Sequence, residues 1–445
     1  MVTVDGEHAR IIDKTDVLSQ NGIFAAIGQS GTIAASDAVL EVEATGMFLI
    51  AGLADAHVHF DFSEVAADAQ SQFVREPNDI LCRLYVAHGV TFVRSMWGTP
   101  SIVELRDQLN AGTRIGPSMI TTGPLLTQAS AIPTRMLGSI DDIRPILEEH
   151  TRFGYDALKI HSSPEAAGCT LLVDQAAQLG IPVYGHVPFT LGLQEALDLP
   201  GLQTVEHVVT FCGASVRDGS PAQGARWPQM MELYNDQDEE KQRFWAARAR
   251  ESGKWICPTL TTSLTEGMLL DEFDDYLDEF DDDLVTASTI EYWRQSLGGE
   301  KTMYVRSNID LRGLYEAPRA IVAALIDADA RIIAGTDTPA RPGIAGRSLH
   351  LELAEYVELG MTPAQALSAA TVDVARALDQ EQVMGRIAVG LRADAVLLRG
   401  NPLEDIANLS EIEGVLLRGE WLDRDALDAL LEEARSLVQA ANDSG

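Results

Sequence analysis

The residues best suited to chemistry begin with a histidine pair, His57-Val58-His59, at the end of an apolar run over residues 47–53. If this run leads into a β-strand, both imidazoles point to the same side, because side chains alternate with period two. Two neutral imidazoles aimed at one point can bind a transition metal, and a bound metal can generate hydroxide at neutral pH. Such a pair alone is a weak signal, so its weight depends on the residues that accompany it further along the chain.

Similar residue types recur at the predicted ends of four later strands. They are Lys159 in the strand 155–160, His186 in 181–186, His207 in 202–207 and Asp337 in 331–337. Catalytic groups of a parallel barrel gather at the carboxyl ends of several strands. Any one of these histidines alone is more simply explained as a core or surface residue. It is improbable that so many such groups lie at strand ends by accident, and the pattern therefore favours one shared site.

The elements that must position these residues alternate between apolar strands and helices. We expect strand ends near residues 57, 93, 121, 159, 184, 206, 260 and 335, and helices such as 101–110, 140–153, 166–179 and 318–328. Eight such repeats over roughly 300 residues predict an α/β fold, specifically a (β/α)8 TIM barrel. The short strands near both ends of the chain cannot bury a core alone, and together they predict a small composite β-sandwich. The predicted domains are 1–47 (sandwich), 48–380 (barrel) and 381–445 (sandwich plus terminal helix).

Composition excludes several classes of protein. A net charge of −34 disfavours binding to nucleic acid or to an anionic membrane, since both are polyanions. No apolar run approaches the roughly 18 residues of a membrane span, and the first residues lack the pattern of a secretory signal. The four cysteines form no CxxC pair, which argues against a disulfide framework and a thiolate zinc site. We therefore expect a cytoplasmic protein with a small-molecule substrate and no nucleic-acid or membrane partner.

The acidic excess itself has two interpretations, a solubility or salt-tolerance surface and attraction of a cationic substrate. Its densest run starts at Asp271 and keeps Phe273, Tyr276 and Phe280 at helical spacing. This spacing predicts an amphipathic helix with a solvated face. The run lacks the glycine and the oxygen spacing of an EF-hand loop, which argues against calcium.

Longer motifs around the candidate residues resemble the amidohydrolase superfamily, and within it the imidazolonepropionase-like group that includes Xaa-Pro dipeptidases. The motifs are GLADAHVH, DALKI, GHVP, VEHV and AGTDTP, followed by ELGMTPAQALSAAT. The resemblance covers nearly the whole chain and is specific for the superfamily, but much less so for any one reaction. Proline dipeptidases carry glycine- and histidine-rich motifs after strands three and five, where this chain has TTGPLLTQASAIPTR and GHVPFTLGLQEAL. That departure weakens the dipeptidase assignment and leaves the predicted metal site intact.

The resemblance implies a site for two divalent metal ions, with Zn²⁺ favoured and manganese, cobalt or iron as alternatives. The more buried ion would be held by His57, His59 and Asp337, and the more exposed one by His186 and His207. Lys159 would carry a carbamate derived from CO2 that bridges the two ions. The alternative for Lys159 is a buried lysine paired with an acid, in which case the site holds one metal.

The resemblance also implies a reaction. Water bound to the ions would lose a proton and attack the substrate, and Asp337 would take that proton and return it to the leaving nitrogen. The alternative for Asp337 is a ligand with no proton role. Further candidates, for contacts with the substrate, are His161, Tyr184, Arg94, Arg347 and His350. The alternatives are a loop position for His161, a surface or structural role for each arginine, and packing for Tyr184 and His350, which is the favoured interpretation of these two. Arg135 and Arg341 are similar candidates, because an arginine can clamp a substrate carboxylate.

The favoured function is metal-dependent hydrolysis of an amide or cyclic amide C–N bond, in a dipeptide, an N-acyl amino acid or a similar small molecule. A mononuclear deaminase of the same superfamily and a lactone or ester hydrolase are the alternatives. A barrel that has lost catalysis and serves as a binding or assembly protein is a third, disfavoured by the full ligand set. Pairing into a homo-oligomer is an expectation from the family alone.

Overall fold

A computed structural model describes residues 1–6, 8–33, 40–60, 76–127, 134–161, 165–188, 190–220, 229–262 and 282–444. The strands are β1 (Val2–Asp5), β2 (His8–Ile11), β3 (Thr15–Gln20), β4 (Ile23–Gln29), β5 (Phe48–Ala51), β6 (Leu53–Val58), β7 (Val90–Ser95), β8 (Ser118–Thr127), β9 (Thr134–Met136), β10 (Ala157–Ile160), β11 (Val183–Gly185), β12 (Leu202–Glu206), β13 (Trp255–Cys257), β14 (Arg331–Ile332), β15 (Ala395–Leu398), β16 (Ile412–Leu417) and β17 (Glu420–Asp423).

The α-helices are α1 (Asn78–Ala87), α2 (Pro100–Asn110), α3 (Ile143–Phe153), α4 (Ala166–Gln178), α5 (Leu193–Asp198), α6 (Val209–Ala214), α7 (Glu239–Ser252), α8 (Ala287–Arg306), α9 (Arg312–Asp327), α10 (Arg347–Glu358), α11 (Pro363–Ala369), α12 (Val372–Ala377) and α13 (Arg424–Ser444). Short 3₁₀ helices cover Ile140–Asp142, Gln229–Asn235, Asp282–Leu284 and Ile406–Ser410. Most of the predicted acidic helix from Asp271 lies outside the described residues. None of the helices described is long and apolar enough to cross a membrane.

The centre of the molecule is a curled sheet of eight parallel strands, in the order β14-β13-β12-β11-β10-β8-β7-β6. Every residue of β6 and β7 is buried, which is typical of parallel strands covered on both faces. The predicted α/β fold is confirmed. Backbone hydrogen bonds also join the two edges of the sheet, from Ala56 N to Ala334 O (2.9 Å) and from Asp337 N to His57 O (2.7 Å). These bonds place the end of β6 beside the residues that follow β14. A closed eight-stranded barrel stays a prediction.

Helix boundaries follow local signals in the sequence. Asp238 accepts hydrogen bonds from the first backbone amides of α7, and the helix ends at Gly253, whose φ of +67° is the left-handed conformation that favours glycine. α9 begins at Arg312, six residues before the predicted start at Pro318. Proline removes one backbone hydrogen bond of that helix, but the burial of Leu314 and Ile321 on one face extends the helix across it.

Segments from both ends of the chain pair with one another beside the parallel sheet. β5, within the range 48–380 predicted for the barrel, pairs antiparallel with β15 in a four-stranded sheet of order β17-β16-β15-β5. Phe24 of β4 bonds through its backbone to Leu391 (2.9 Å) and packs in a small core with Ile387 and Ala395. The composite sandwich and the domain boundaries stay predictions.

Candidate functional site

The first group of site residues lies where β6 ends and the segment after β14 begins. The Oδ1 atom of Asp337 lies 3.3 Å from Nε2 of His57 and 2.7 Å from Nε2 of His59. One side-chain donor atom from each of the three residues lies within 4.8 Å of the others. Two imidazoles and a carboxylate at this spacing form a donor set that suits zinc.

The second ring nitrogen of His57 is hydrogen-bonded to an acid. Its Nδ1 lies 2.7 Å from Oε2 of Glu206, the last residue of β12. Burial alone would raise the pKa of Glu206, but the charge of Arg94 and the hydrogen bond from His57 hold that pKa well below its usual value. Glu206 is therefore an ionised acceptor, His57 carries its proton on Nδ1, and the lone pair of Nε2 faces Asp337.

Lys159, in β10, is fully buried with its Nζ atom 3.2 Å from Nε2 of His57. Burial lowers the pKa of Lys159 to about 8, although the acids Glu206 and Asp337 oppose that shift. A share of the amine is therefore uncharged near neutral pH, and an uncharged amine has the lone pair needed to react with CO2.

The second group of site residues is a row of imidazoles whose rings contact one another at tilted angles. Ring centroids lie 4.4 Å apart between His161 and His186, 4.5 Å between His186 and His207, and 4.9 Å between His207 and His57. Burial lowers the pKa of His161 and of His207 to about 4, and it also holds the pKa of His186 well below its usual value. These rings are neutral at pH 7 and keep lone pairs that can bind a metal.

The free nitrogen of two of these rings can be identified from their hydrogen bonds. Thr259 donates its hydroxyl proton to the carbonyl of Pro258 (2.7 Å), so it accepts from Nδ1 of His207 (2.6 Å), and the lone pair of that ring is on Nε2. Nδ1 of His186 is buried and has no hydrogen-bond partner among the described residues. A buried polar atom without a partner is costly, and a bound ion would satisfy it.

Three site residues stand in an unusual backbone conformation. His207, Thr259 and Asp337 have φ values of +64°, +53° and +59°. Non-glycine residues in this region cost about 1–3 kcal/mol each and persist where the surroundings impose the conformation. At His207 the turn breaks the alternation of side chains, so that Glu206 and His207, though adjacent in sequence, both contact the ring of His57.

A glycine allows the two edges of the sheet to meet at the site. A Cβ atom on Gly335 would lie 2.5 Å from Sγ of Cys257 and 2.8 Å from Cβ of His57. No side chain fits there without moving the metal-type histidine. Gly335 thus sets how closely Asp337 approaches His57 and His59.

The structure brings together the six residues that the sequence predicted as metal ligands. They are His57, His59, Lys159, His186, His207 and Asp337, linked through the contacts above. His161, predicted as a substrate contact, lies at the end of the imidazole row. The donor set and the unpartnered Nδ1 of His186 fit divalent metal ions.

Two residues predicted to contact substrate are instead buried beneath the site. Arg94 donates to the carbonyl of Ala56, to Thr204 (3.1 Å) and to Glu206 (2.7 Å), so its guanidinium is committed within the protein. The ring of Tyr184 lies 4.6 Å below that guanidinium. Both side chains are buried inside the sheet, where they contact each other beneath the site.

The other predicted substrate contacts also have different partners. Nε2 of His350 bonds to the backbone oxygen of His88 (2.9 Å), and Arg347 is the exposed first residue of the same helix, α10. Arg135 pairs with Glu149 and Arg341 with Glu300. The structure does not bring His350 or Arg347 to the histidine cluster.

Glu206 and Thr259 are functional candidates that the sequence analysis missed. The VEHV motif contains Glu206, but strict alternation along a strand turns it away from the side that His207 faces. Thr259 follows the short strand β13 and carries no metal-type side chain. The position of Glu206, an acid next to a histidine at a strand end, could have marked it as a candidate. No feature of the sequence marks Thr259.

Comparisons with known proteins agree with this geometry. The sequence model of the Amidohydrolase family matches residues 265–422. The chain is 26% identical over 392 residues to ochratoxinase from Aspergillus niger, covering 82% of this chain and 73% of that protein. The matches support an enzyme that hydrolyses C–N bonds.

Solved structures share the fold. The structure named "Bottromycin amidohydrolase" superposes with a TM-score of 0.74 at 24% identity, over 95% of this chain and 86% of that one. A Xaa-Pro dipeptidase with bound methionine superposes with a TM-score of 0.62 at 18% identity, over 92% and 94% of the two chains. The resemblance that the sequence motifs indicated is confirmed.

Proposed function

We propose that this chain, an enzyme of the amidohydrolase superfamily, hydrolyses an amide C–N bond in a small molecule at a site for two divalent metal ions. The observation that carries the proposal is the meeting of His57, His59 and Asp337, whose donor atoms lie within 4.8 Å of one another although 278 residues separate His59 from Asp337.

The residues divide between two ions. His57, His59 and Asp337 would hold one ion, because both rings face the carboxylate of Asp337. His186 and His207 would hold the other, because each of these rings has a nitrogen available for a metal. When bound, two divalent ions polarise a substrate carbonyl and lower the pKa of water to near neutrality. Zn²⁺ suits this set of imidazole and carboxylate donors.

Asp337 is the residue proposed to move the proton. Burial alone would raise its pKa, but His57 and His59 outweigh burial and hold the pKa of Asp337 well below its usual value, so it is ionised at neutral pH. Its side chain is 15% exposed, whereas that of His57 is 1% exposed, so Asp337 borders the accessible side of the cluster. An ionised carboxylate there can accept a proton from the attacking water and deliver it to the leaving nitrogen.

Lys159 is proposed to carry a carbamate formed from its uncharged amine and CO2. Its Nζ atom lies against Nε2 of His57, in the middle of the histidine cluster, where a permanent positive charge would oppose cation binding. A carbamate is anionic and supplies oxygen donors from the same position. This explains why a lysine is buried among metal-type residues.

The relatives support an amide as the substrate. Two of them are named as an amidohydrolase and a dipeptidase, and the third is ochratoxinase. We propose a dipeptide, an N-acyl amino acid or a similar small amide. A mononuclear deaminase and a lactone or ester hydrolase are outcomes that the experiment distinguishes.

The test uses zinc-loaded protein and a library of dipeptides and N-acyl amino acids, with release of free amine as the readout. We expect near two zinc ions per chain and cleavage of at least one amide. Asp337→Asn should abolish cleavage, whereas Asp373→Asn, a change in an acid of α12 outside the site, should not. Release of ammonia with near one ion per chain would instead assign a deaminase, and cleavage of lactones alone an ester hydrolase.

A further inference from the structure

A buried acid–arginine pair lies directly under the candidate metal site. Glu206 and Arg94 are both inaccessible to solvent, and Nη2 of Arg94 lies 2.7 Å from Oε1 of Glu206. Arg94 belongs to β7 and Glu206 to β12, and β8, β10 and β11 separate these strands in the sheet. The pair therefore crosses the inside of the curled sheet rather than joining neighbouring strands.

Both carboxylate oxygens of Glu206 are engaged in hydrogen bonds within the protein. Oε2 accepts from Nδ1 of His57, and Oε1 accepts from Arg94 and from the hydroxyl of Thr204. Glu206, His57 and Cys257 lie close enough to suggest a metal cluster, but each oxygen of the acid already accepts a hydrogen bond from another side chain. The contact through which Glu206 can orient a ligand of the ion is its hydrogen bond with the imidazole of His57.

The arginine is also fixed, which makes the acid rigid. Its guanidinium donates to the carbonyl of Ala56 and to Thr204 (3.1 Å) and lies 4.6 Å from the ring centroid of Tyr184. Ala56 precedes His57 in β6, so Arg94 holds both the backbone beside the histidine and the acid that bonds its ring.

We infer that Glu206, anchored by Arg94 and Thr204, is the positioning residue that makes His57 a metal ligand. The inference rests on the metal-binding part of the proposed function. Glu206 holds the proton of His57 on Nδ1, so the Nε2 lone pair always faces the ion, and it fixes the orientation of the ring. A histidine that donates its second N–H to a carboxylate is also a more basic ligand, and loss of such a partner typically weakens metal binding 10- to 100-fold.

The decisive measurement is the zinc dissociation constant of the full chain, obtained by competition with a chromophoric chelator without any substrate. Glu206→Gln keeps the size of the side chain and removes its charge. We expect it to bind the tighter zinc ion about 10- to 100-fold more weakly than the parent does. Parent-like zinc affinity in a folded Glu206→Gln protein overturns the inference.

The molecule offers a control for loss of an acid, in the partly buried Asp373. Asp373 also accepts from an arginine, Arg376 (3.1 Å), and from a hydroxyl, that of Ser368, but contacts no candidate ligand among the described residues. Asp373→Asn should leave zinc affinity unchanged. Equal weakening by both substitutions overturns the inference, because it would then reflect a general loss of stability.

A milder pair of variants covers the case in which Glu206→Gln does not fold. Thr204→Val removes the hydroxyl that bonds both Arg94 and Glu206, and Ser368→Ala removes the equivalent hydroxyl beside Asp373. We expect Thr204→Val to weaken zinc binding about 3- to 10-fold and Ser368→Ala to leave it unchanged. Equal affinities in the two variants overturn the inference.

The same titration separates this inference from the proposed function. A parent chain that binds zinc but cleaves no amide removes the function and leaves the role of Glu206 standing. A parent chain that binds zinc and cleaves amides, with unchanged affinity in Glu206→Gln, removes only the role of Glu206. A parent chain that binds no zinc overturns both.

Discussion

The histidine cluster has two halves, His57 with His59 and His161 with His186 and His207. The halves differ in the charge of the groups that their rings contact. His57 and His59 contact ionised acids, Asp337 on one side and Glu206 on the other. The rings of His161, His186 and His207 instead contact one another, and His207 bonds to the neutral hydroxyl of Thr259. An ion in the first half would meet negative charge directly, and an ion in the second would depend on the charge of Asp337 and of the carbamate proposed on Lys159.

Because of this difference, the halves should lose metal in a fixed order. Coulomb attraction in a buried site is several times stronger than in water, so the half with the carboxylates holds its ion more firmly. The imidazole row contributes geometry and neutral donors. Breaking one half should therefore have consequences different from breaking the other.

The strongest loss of activity is expected from Asp337→Asn, which removes the charge of the first half and the proposed proton acceptor together. Loss of a general acid–base group costs about 10²–10⁴-fold in rate, so we expect kcat to fall at least about 10³-fold. Steady-state kinetics on the first amide found to be cleaved measures this. A fall in kcat of less than tenfold would remove Asp337 from catalysis.

Substitutions of one histidine in each half test the order of metal loss. We expect His57→Asn to lose both ions and His186→Asn to retain about one ion per chain, because the first half holds its ion without the imidazole row. Metal analysis after gel filtration in chelator-free buffer gives the stoichiometry. Retention of more metal by His57→Asn than by His186→Asn would reverse the comparison.

A smaller effect on zinc binding is expected from substitutions of Thr259, which bonds to His207 in the row of imidazoles. Thr259→Ala removes the acceptor for Nδ1 of His207, and we expect zinc binding in the second half to weaken about tenfold. Thr259→Ser keeps the hydroxyl and should retain the affinity of the parent. Because Thr259 has a φ of +53°, Thr259→Gly separates the hydroxyl from backbone strain. Glycine should be more stable to unfolding than alanine and equally weak in binding zinc.

The mildest effect concerns an acid that supports Thr259 from outside the cluster. Glu352 of α10 accepts from the amides of Leu260 (2.8 Å) and Thr261 (2.7 Å), and burial raises its pKa to about 7. Its folded pKa exceeds its unfolded value, so the stability that protonated Glu352 contributes is present at low pH. That stability is lost as the pH rises through about 7.

Glu352→Gln should remove this dependence. Between pH 5 and pH 7.5 the parent should lose about 2 kcal/mol of unfolding free energy relative to Glu352→Gln, since one pKa unit corresponds to about 1.4 kcal/mol. Urea unfolding of chelator-treated protein at the two pH values provides the comparison. A constant difference between the two proteins would mean that Glu352 titrates normally.

Much of the parallel sheet and of the ligand set could be predicted from the sequence, because both follow from local patterns. Apolar runs locate strands, and the carboxyl ends of parallel strands share an edge, so His57, Lys159, His186 and Asp337 could be expected to meet. The helix α9 begins at Arg312, six residues before the start predicted at Pro318, because its buried face extends across the proline.

The support of the site could not be predicted, because it depends on contacts between distant strands. Arg94 has the residue type of a substrate clamp, and only the fold shows that it turns inward to Glu206, 112 residues away. The role of Glu206 depends on the turn at His207, and a positive φ at a histidine has no signature in the sequence. The rule that side chains alternate along a strand holds for regular backbone. It fails at His207, where the backbone turns out of the extended conformation.

The pairing of β5 with β15 has a consequence for how the chain is made. The β5 strand leaves the ribosome about 340 residues before its partner, and Phe24 waits longer still for Leu391. Such distant pairing slows folding, since a long loop must close before the contact forms. During synthesis, the apolar residues Phe48–Ala51 stay unpaired until β15 is made, and an unpaired apolar strand is an edge that other chains could join.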